Sequence, residues 1–584
     1  MRADPQREPL LLAAAVLAAA APSLLAYNVS PSPTFLNQAL ALACWGGFAL
    51  LLAAGRPALP QLGASRNAWP LQAALALLVL AAAVSGTLGA LPSGLCLSAL
   101  GLLAAAALLV HSGSAARSAA DGDALFACFA WGWLVAGLLN LAVGLVQVFA
   151  PDVADGNWIA ASNIPGRAVG NLRQPNHLSS LLLWAAICAV ALLELRRLRR
   201  GWGQAAFVAL VFGVVLSASR TGLVSVGILA LWGLLDRRLT RPTRGLLLAA
   251  PVVYALSWLA LAGWAELSHH VFGGAARLAE TDVSGSRFGI WADTLALIKA
   301  NPWTGVGFGE FNLAWTLTPF PGRPTAFFDH THNLVLQFAV ELGLPLAALL
   351  LALLLWGLLR MALQAWAVQG DASVTRRAAT MFVLMIGLHS LLEYPLWYAY
   401  FLLPTAWAFG FGLGGAAAAA PAPASSASST ARHRWLAPAA ALLVLGAAFS
   451  VWDYTRVTAI FAADDDAAPL ARRIERGQHS VFFAHHADYA AATTDTEPRL
   501  RERAFRGATH YLLDTRLMMA WAEELAARGD VDRARHLAAR LREFHNPLSK
   551  DWLDECRAAA ASQAAPFQCA PPARRYGWRD FEGR

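Results

Sequence analysis

Charge is what this sequence has least of. Only 14% of its 584 residues are Asp, Glu, Lys or Arg, while 57% are hydrophobic; a soluble domain carries about 25% charged residues. With a mean hydropathy of +0.48, that deficit excludes an ordinary soluble enzyme and indicates a chain that crosses a bilayer many times. Cysteine is also scarce. Of the six present, Cys44, Cys96, Cys128 and Cys188 are scattered through apolar runs at no metal-ligand spacing, so they read as small core residues. A Walker loop is missing too. Thr304-Gly-Val-Gly-Phe-Gly is glycine-rich but lacks the Gly-Lys-Ser/Thr ending that cradles nucleotide phosphates. Its glycines are expected to make a tight turn over a substrate. The net charge of +8 could suggest nucleic acid, but the arginines sit in short loops between apolar runs. That is the pattern of membrane sidedness, and no nucleic-acid partner is expected.

What is abundant is Leu and Ala, in runs of about 15–25 residues that can cross the hydrocarbon core as helices. The expected fold is an all-α polytopic membrane protein with about 13 spans, at 10–27, 35–55, 69–86, 95–111, 124–150, 177–195, 204–217, 221–235, 245–264, 334–359, 378–392, 396–415 and 435–452. The pairs 204–217/221–235 and 378–392/396–415 have short members and can be broken helices. Run 10–27 lacks a clear cleavage site and is read as a retained first span. With the N-terminus in the cytoplasm, eighteen basic residues up to 452 lie on the inner side and seven on the outer, the bias that sets orientation. The loop 265–333 and the tail from 453 then face outward.

The organisation read from this is N-terminal spans over 1–164 and a core over 165–415 that includes loop 265–333. An Ala/Pro/Ser-rich cytoplasmic linker follows at 416–434, then a last span at 435–452 and a small helical domain over 453–584. In that domain Leu512–Arg528 and Val531–Phe544 have helical spacing, and Arg528-Gly-Asp-Val fits a helix end followed by a new N-cap. Helix pairs like those of tetratricopeptide proteins are expected. In an oxidising compartment Cys556 and Cys569 can pair as a disulfide; two thiols is the other reading.

Polar residues at membrane depth are costly and mark function. Gly170-Asn-Leu-Arg-Gln-Pro-Asn-His-Leu opens the sixth span. Pro175 suits a first helical turn, and Asn176 and His177 can bond exposed backbone donors; with Gln174 they are read either as a well-capped helix or as a wall of an outward polar cavity. Arg220, in Ser-Ala-Ser-Arg-Thr-Gly, either reaches lipid headgroups or grips a phosphate, for which a guanidinium offers a planar fork of donors. Arg287 begins an amphipathic helix (Ile290, Trp291, Leu295, Ile298) that ends at Asn301-Pro302. Two arginines would offset a diphosphate's charge as it leaves. In Asp329-His-Thr-His-Asn-Leu a metal site is conceivable. His332 as a general base at a helix start is preferred, with Asp329 or His330 to orient it and Asn333 beside it. Glu393 and Tyr394 break a span, and Glu393 can pair with one of the arginines. A transporter would also place polar groups at broken helices. Here, though, they gather toward one face, and no internal repeat is evident.

At these residues the sequence resembles the O-antigen ligase/polymerase superfamily. The likeness rests on Arg220 in its Ser-Arg-Thr-Gly setting, on Arg287 followed by Asn-Pro-Trp-Thr-Gly-Val-Gly-Phe-Gly, and on His332-Asn333 with Gly343 ten residues past the Asn. Leu346 stands where the ligases carry a small or aromatic residue. Gln174-Pro-Asn-His, Glu393-Tyr-Pro-Leu and a helical tail resemble one subset, the bacterial general protein O-oligosaccharyltransferases of the pilin-glycosylating type. The resemblance implies an undecaprenyl-diphosphate-linked glycan as donor and Ser or Thr of periplasmic or pilin proteins as acceptor. It further implies en bloc transfer with inversion, no cofactor or metal, and a bacterial inner-membrane location with the site facing the periplasm. The roles it implies are His332 as base, with Arg220 and Arg287 holding the diphosphate. A ligase acting on lipid A core and a repeat-unit polymerase share this chemistry and differ in acceptor.

Overall fold

The computed structural model describes residues 7–54, 67–279, 283–325, 327–415, 435–462, 467–494, 498–559 and 565–582. The linker at 416–434 lies outside them, as do Arg2, Arg56, Arg66, Arg432 and Arg434 of the basic-residue count. The described residues form helices and turns and no strand. Eight of these helices are long and apolar enough to cross a membrane: Phe35–Ala54, Trp69–Thr87, Ser93–Ser118, Gly122–Phe149, Pro175–Glu194, Arg241–Ser268, Leu344–Ala367 and Leu436–Phe461. Four shorter helices are also apolar: Arg7–Leu24, Arg200–Leu216, Arg220–Leu235 and Ala399–Leu413. Asp371–Ser390 is long enough but carries Asp371, Arg376 and Arg377. Each expected run therefore lies on helix, and eight meet the length and composition of a span.

One run differs from expectation. Residues 334–359 are two helices, Leu334–Leu342 and Leu344–Ala367, parted at Gly343. Its φ is +77°, and a Cβ there would lie 2.3 Å from the Trp303 carbonyl oxygen. Only glycine satisfies both demands, so the membrane-length helix begins after it.

Contacts group the chain into two compact units. The first comprises 1–75, 104–280 and 353–451; the second comprises 76–103, 281–352 and 452–584. In the first, Pro175–Glu194 is enclosed along nearly its whole length. Trp184 stacks on Phe382 at 3.9 Å and donates its indole N–H to the Phe382 carbonyl at 2.9 Å. Phe129 stacks on Trp407 at 4.6 Å. Lipid is as apolar as leucine, so close fit rather than escape from water holds such helices together, and small residues set how near they come. A Cβ on Gly113 would stand 2.0 Å from the Trp407 carbonyl oxygen, and one on Gly410 equally close to that of Val110. The helices Ser93–Ser118 and Ala399–Leu413 thus meet backbone to backbone.

Buried arginines in this unit are matched. Arg377 pairs with Asp236 and Arg117 with Asp123. Arg376 donates to the carbonyls of Gly412 and Gly414, both at 2.6 Å, closing the C-terminal end of Ala399–Leu413. Composition had used these residues only to count charge. A buried guanidinium without such partners would cost several kcal/mol.

In the second unit the tail forms Leu470–Gln478, Ala484–Thr493, Pro498–Ala508, Thr515–Ala527, Val531–Phe544 and Lys550–Ala559. Neighbours in sequence pack together. Asp514 caps one helix through Leu517 N at 2.9 Å. The expected break after Arg528 has Gly529 at φ +84° and Asp530 capping the next helix. Cys556 and Cys569 stand side by side with Cα atoms 5.2 Å apart, in disulfide geometry.

Candidate functional site

In the first unit, Gln174 rather than Asn176 caps Pro175–Glu194. Its Oε1 accepts from Asn176 N at 2.5 Å and His177 N at 3.0 Å. That releases the Asn176 amide for a tertiary role. Its Nδ2 donates to Glu393 Oε1 at 3.0 Å, and its Oδ1 accepts from Ser219 Oγ at 2.6 Å. Ser219 in turn caps the helix Arg220–Leu235 through Gly222 N at 3.0 Å. A buried chain from Glu393 through Asn176 to Ser219 therefore fixes the helix end from which Arg220 emerges, exposed. Arg167, counted in the sequence as an outer cation, is buried and donates to the Ser217 carbonyl at 3.0 Å, bracing the same turn. Deeper in, His177 Nδ1 meets Tyr400 OH at 3.2 Å and Ser180 Oγ meets His389 Nδ1 at 2.8 Å. The ring of Tyr394 stacks on that of Tyr398.

The second unit holds Arg287, Asp329, His330, His332 and Asn333. Arg287 lies on the helix Val283–Ala300, one turn before Trp291, whose indole donates to the Thr331 carbonyl at 2.9 Å. The buried face of this helix is Ile290, Asp293, Thr294, Leu297 and Ile298; Leu295, expected on it, is exposed. Thr331 is held from every side. Its N–H donates to Gln337 Oε1 at 2.8 Å and its hydroxyl to the Asn333 carbonyl at 2.8 Å. Asn333 caps Leu334–Leu342 through Val335 N at 3.0 Å and Leu336 N at 3.1 Å. Between these fixed neighbours His332 takes φ +55°. A left-handed non-glycine residue costs about 1–3 kcal/mol and persists only where its surroundings impose it. Asp329 Oδ1 lies 3.0 Å from His330 Nδ1. Desolvation would raise the Asp329 carboxyl, but His330, the local backbone and His332 together hold it below its ordinary value.

The glycines of 304–309 make the expected tight turn, and it packs on a neighbouring helix end. Gly305, Gly307 and Gly309 all have positive φ. Val306 N donates to the Val340 carbonyl at 2.8 Å and Gly307 N to that of Glu341 at 3.0 Å. The turn closes on the end of Leu334–Leu342, and a Cβ on Gly305 would stand 2.4 Å from the Glu341 carbonyl. The buried Glu341 carboxyl accepts from Gly309 N, Phe311 N and the Gln337 side chain. Sequence reasoning read Trp291 only as part of an apolar face and passed over Thr331, Gln337 and Glu341; for the last two the available signal was two polar residues four apart on an otherwise apolar helix.

The tail grips this loop. Glu310 accepts from His510 Nδ1 at 2.7 Å, and Asn312 accepts from Leu513 N at 2.8 Å while donating to the Phe328 carbonyl at 2.9 Å. His536 Nε2 donates to the Leu317 carbonyl at 2.9 Å. Arg323 bonds Glu543 at 3.2 Å, with its guanidinium 4.6 Å from the rings of Trp315 and Phe544. Phe328 packs on Trp315 and, edge to face, on His332 at 5.4 Å. Packed groups therefore run unbroken from the tail to His332. Among the described residues, no three His, Cys, Asp or Glu gather as metal ligands.

The sequence matches the O-antigen ligase family over residues 205–351, which include Arg220, Arg287 and His332. It matches the protein glycosylation ligase family over 168–193, which include Gln174 and Asn176. Residues 205–351 are thus similar to O-antigen ligases. A third match, to the C-terminal part of the virulence factor membrane-bound polymerase family, covers 377–554. Two curated relatives come from Acinetobacter baylyi (strain ATCC 33305 / BD413 / ADP1). One is a general O-oligosaccharyltransferase, 27% identical over 310 residues, 50% of this chain and 51% of that protein. The other is a ComP-specific O-oligosaccharyltransferase, 24% identical over 293 residues, 48% and 50% of the two chains. The chain spans about half the length of the curated relatives it matches. The ligase segment contributes Arg220 from the first unit and Arg287 and His332 from the second. The protein glycosylation ligase match falls on the Gln174 cap and the Asn176 relay.

Proposed function

We propose that this protein is a glycosyltransferase that moves a glycan en bloc from undecaprenyl diphosphate to Ser or Thr hydroxyls of periplasmic or pilin proteins. His332 takes the hydroxyl proton, and the acceptor oxygen attacks the anomeric carbon. The bond from that carbon to the diphosphate oxygen breaks with inversion, and the lipid diphosphate leaves with its charge offset by Arg220 and Arg287. The reaction uses no cofactor or metal. About thirteen spans hold the chain in the bacterial inner membrane with loop 265–333 and the tail in the periplasm, where Cys556 and Cys569 are joined. The observation that carries this reading is that the ligase segment contains both arginines and the histidine while both curated relatives are named O-oligosaccharyltransferases. The strained and braced His332 is what a positioned base requires.

The test is co-expression with a lipid-linked glycan and candidate acceptors, read by mass spectrometry. Glycan on Ser or Thr supports the proposal. His332→Ala, Arg287→Ala and Arg220→Ala should each abolish transfer with expression retained; full glycosylation by His332→Ala removes its role as base. A cysteine placed at Thr325 should be labelled without permeabilising the inner membrane, and protection there inverts the orientation. The polymerase-family match over 377–554 favours repeat-unit polymerisation as a second reading, and the O-antigen ligase match over 205–351 favours ligation to lipid A core. Glycan found on lipid and absent from protein in the same experiment would select it.

A further inference from the structure

At another place in the first unit lies a cavity of about 450 Å³. Four arginines line it within five residues, Arg196, Arg197, Arg199 and Arg200, all exposed. The wall also holds a carboxylate, Glu194, whose oxygens are turned to neutral donors. Its Oε1 accepts from Thr240 Oγ1 at 2.7 Å and Thr243 Oγ1 at 2.6 Å, and its Oε2 from Thr240 N at 3.1 Å. Arg197 lies 3.7 Å from Glu8, both exposed. Among the described residues Arg196, Arg199 and Arg200 pair with no carboxylate. Trp202, beside them in sequence, is 70% exposed, as expected of an indole anchored at headgroup depth.

The wall is not only charged. Leu193, Leu198 and Leu246 line it beside the arginines. Guanidiniums and leucines in one wall match a ligand with a phosphate at one end and hydrocarbon at the other. We propose that this cavity binds an anionic phospholipid, its phosphate held by Arg196, Arg199 and Arg200 and the start of its acyl chains against Leu193, Leu198 and Leu246. Guanidinium forks suit phosphate oxygens, and basic pockets between membrane helices take up anionic headgroups. Free phosphate would use the arginines and ignore the leucines. Arginines serving sidedness alone need no cavity and hold no lipid in fixed ratio.

The full-length protein is purified and titrated with phosphatidylglycerol or phosphatidylcholine under native mass spectrometry. One retained phosphatidylglycerol per chain is expected, preferred about tenfold over phosphatidylcholine. The preference should vanish in Arg196→Gln/Arg199→Gln/Arg200→Gln. Leu246→Trp keeps every charge and puts an indole into the cavity where the lipid would pass, so it should weaken lipid retention, and it carries the test if the triple variant fails to insert. Equal retention of the two lipids, or unchanged preference in both variants, overturns the proposal. Release of the lipid by millimolar inorganic phosphate overturns it as well, in favour of a free-anion site.

Discussion

Arg220 owes its position to groups distant in sequence. Ser219 sets the helix end, Asn176 sets Ser219, and Glu393 sets Asn176. Glu393 could be picked out in the sequence as a carboxylate at membrane depth, and pairing with an arginine was a reasonable expectation. Its bond to an amide 217 residues away was beyond reach, because spacing along a helix says nothing about contacts between helices. The chain assigns Glu393 the part of acceptor for an amide N–H. Glu393→Gln keeps an oxygen for that bond, whereas Glu393→Ala does not. A polar bond between membrane helices is worth about 0.6–1.7 kcal/mol, roughly a factor of 3–20. Glycosylated acceptor, quantified by mass spectrometry, should fall by about that factor in Glu393→Ala and stay near wild type in Glu393→Gln. Equal loss in both variants would mean the negative charge matters and the relay does not.

Among the elements, the helices were legible wherever composition alone decides. Apolar runs forecast the membrane helices, and the Gly529–Asp530 break forecast the tail's helix ends, since caps are local. The parting at Gly343 was hidden, because Leu334–Leu342 and Leu344–Ala367 are both apolar and periodicity does not register a positive φ. Nor did the glycines of 304–309 reveal that their tight turn closes on Glu341. Gly343→Ala places a Cβ in a left-handed residue and against the Trp303 carbonyl. Strain of that kind costs about 1–3 kcal/mol before the clash is counted. Thermal unfolding in detergent should shift to clearly lower temperature. Gly322→Ala, where a Cβ would meet nothing within 4 Å, should leave the melting temperature in place. An unchanged Gly343→Ala would mean the break between the helices is not required.

For the molecule as a whole, the tail does more than hang from a last span. It was expected as a small helical domain after that span, and Glu310, Asn312, Leu317 and Arg323 of the loop are each bonded to it. Composition separates polar tail from polar loop and cannot report that they fold together. His536 makes this dependence titratable. A carbonyl only accepts, so Nε2 must carry a proton to bond Leu317, and the neutral ring meets that need. Burial, aided by Arg540 and opposed by the Leu317 bond, lowers its pKa to about 4 from an ordinary 6.5. The unfolded chain therefore binds this proton more readily than the native one. The stabilisation is full above about pH 6.5 and drains away as pH falls through about 4. Hydrogen exchange across residues 310–332 should accordingly speed up, beyond its intrinsic pH dependence, on acidification through that window. His536→Gln keeps a donor for Leu317 without a titrating ring, so its protection should be flat over the same range. If the wild type is equally flat, His536 does not couple tail to loop; if the glutamine variant follows the wild type, another group carries the pH dependence.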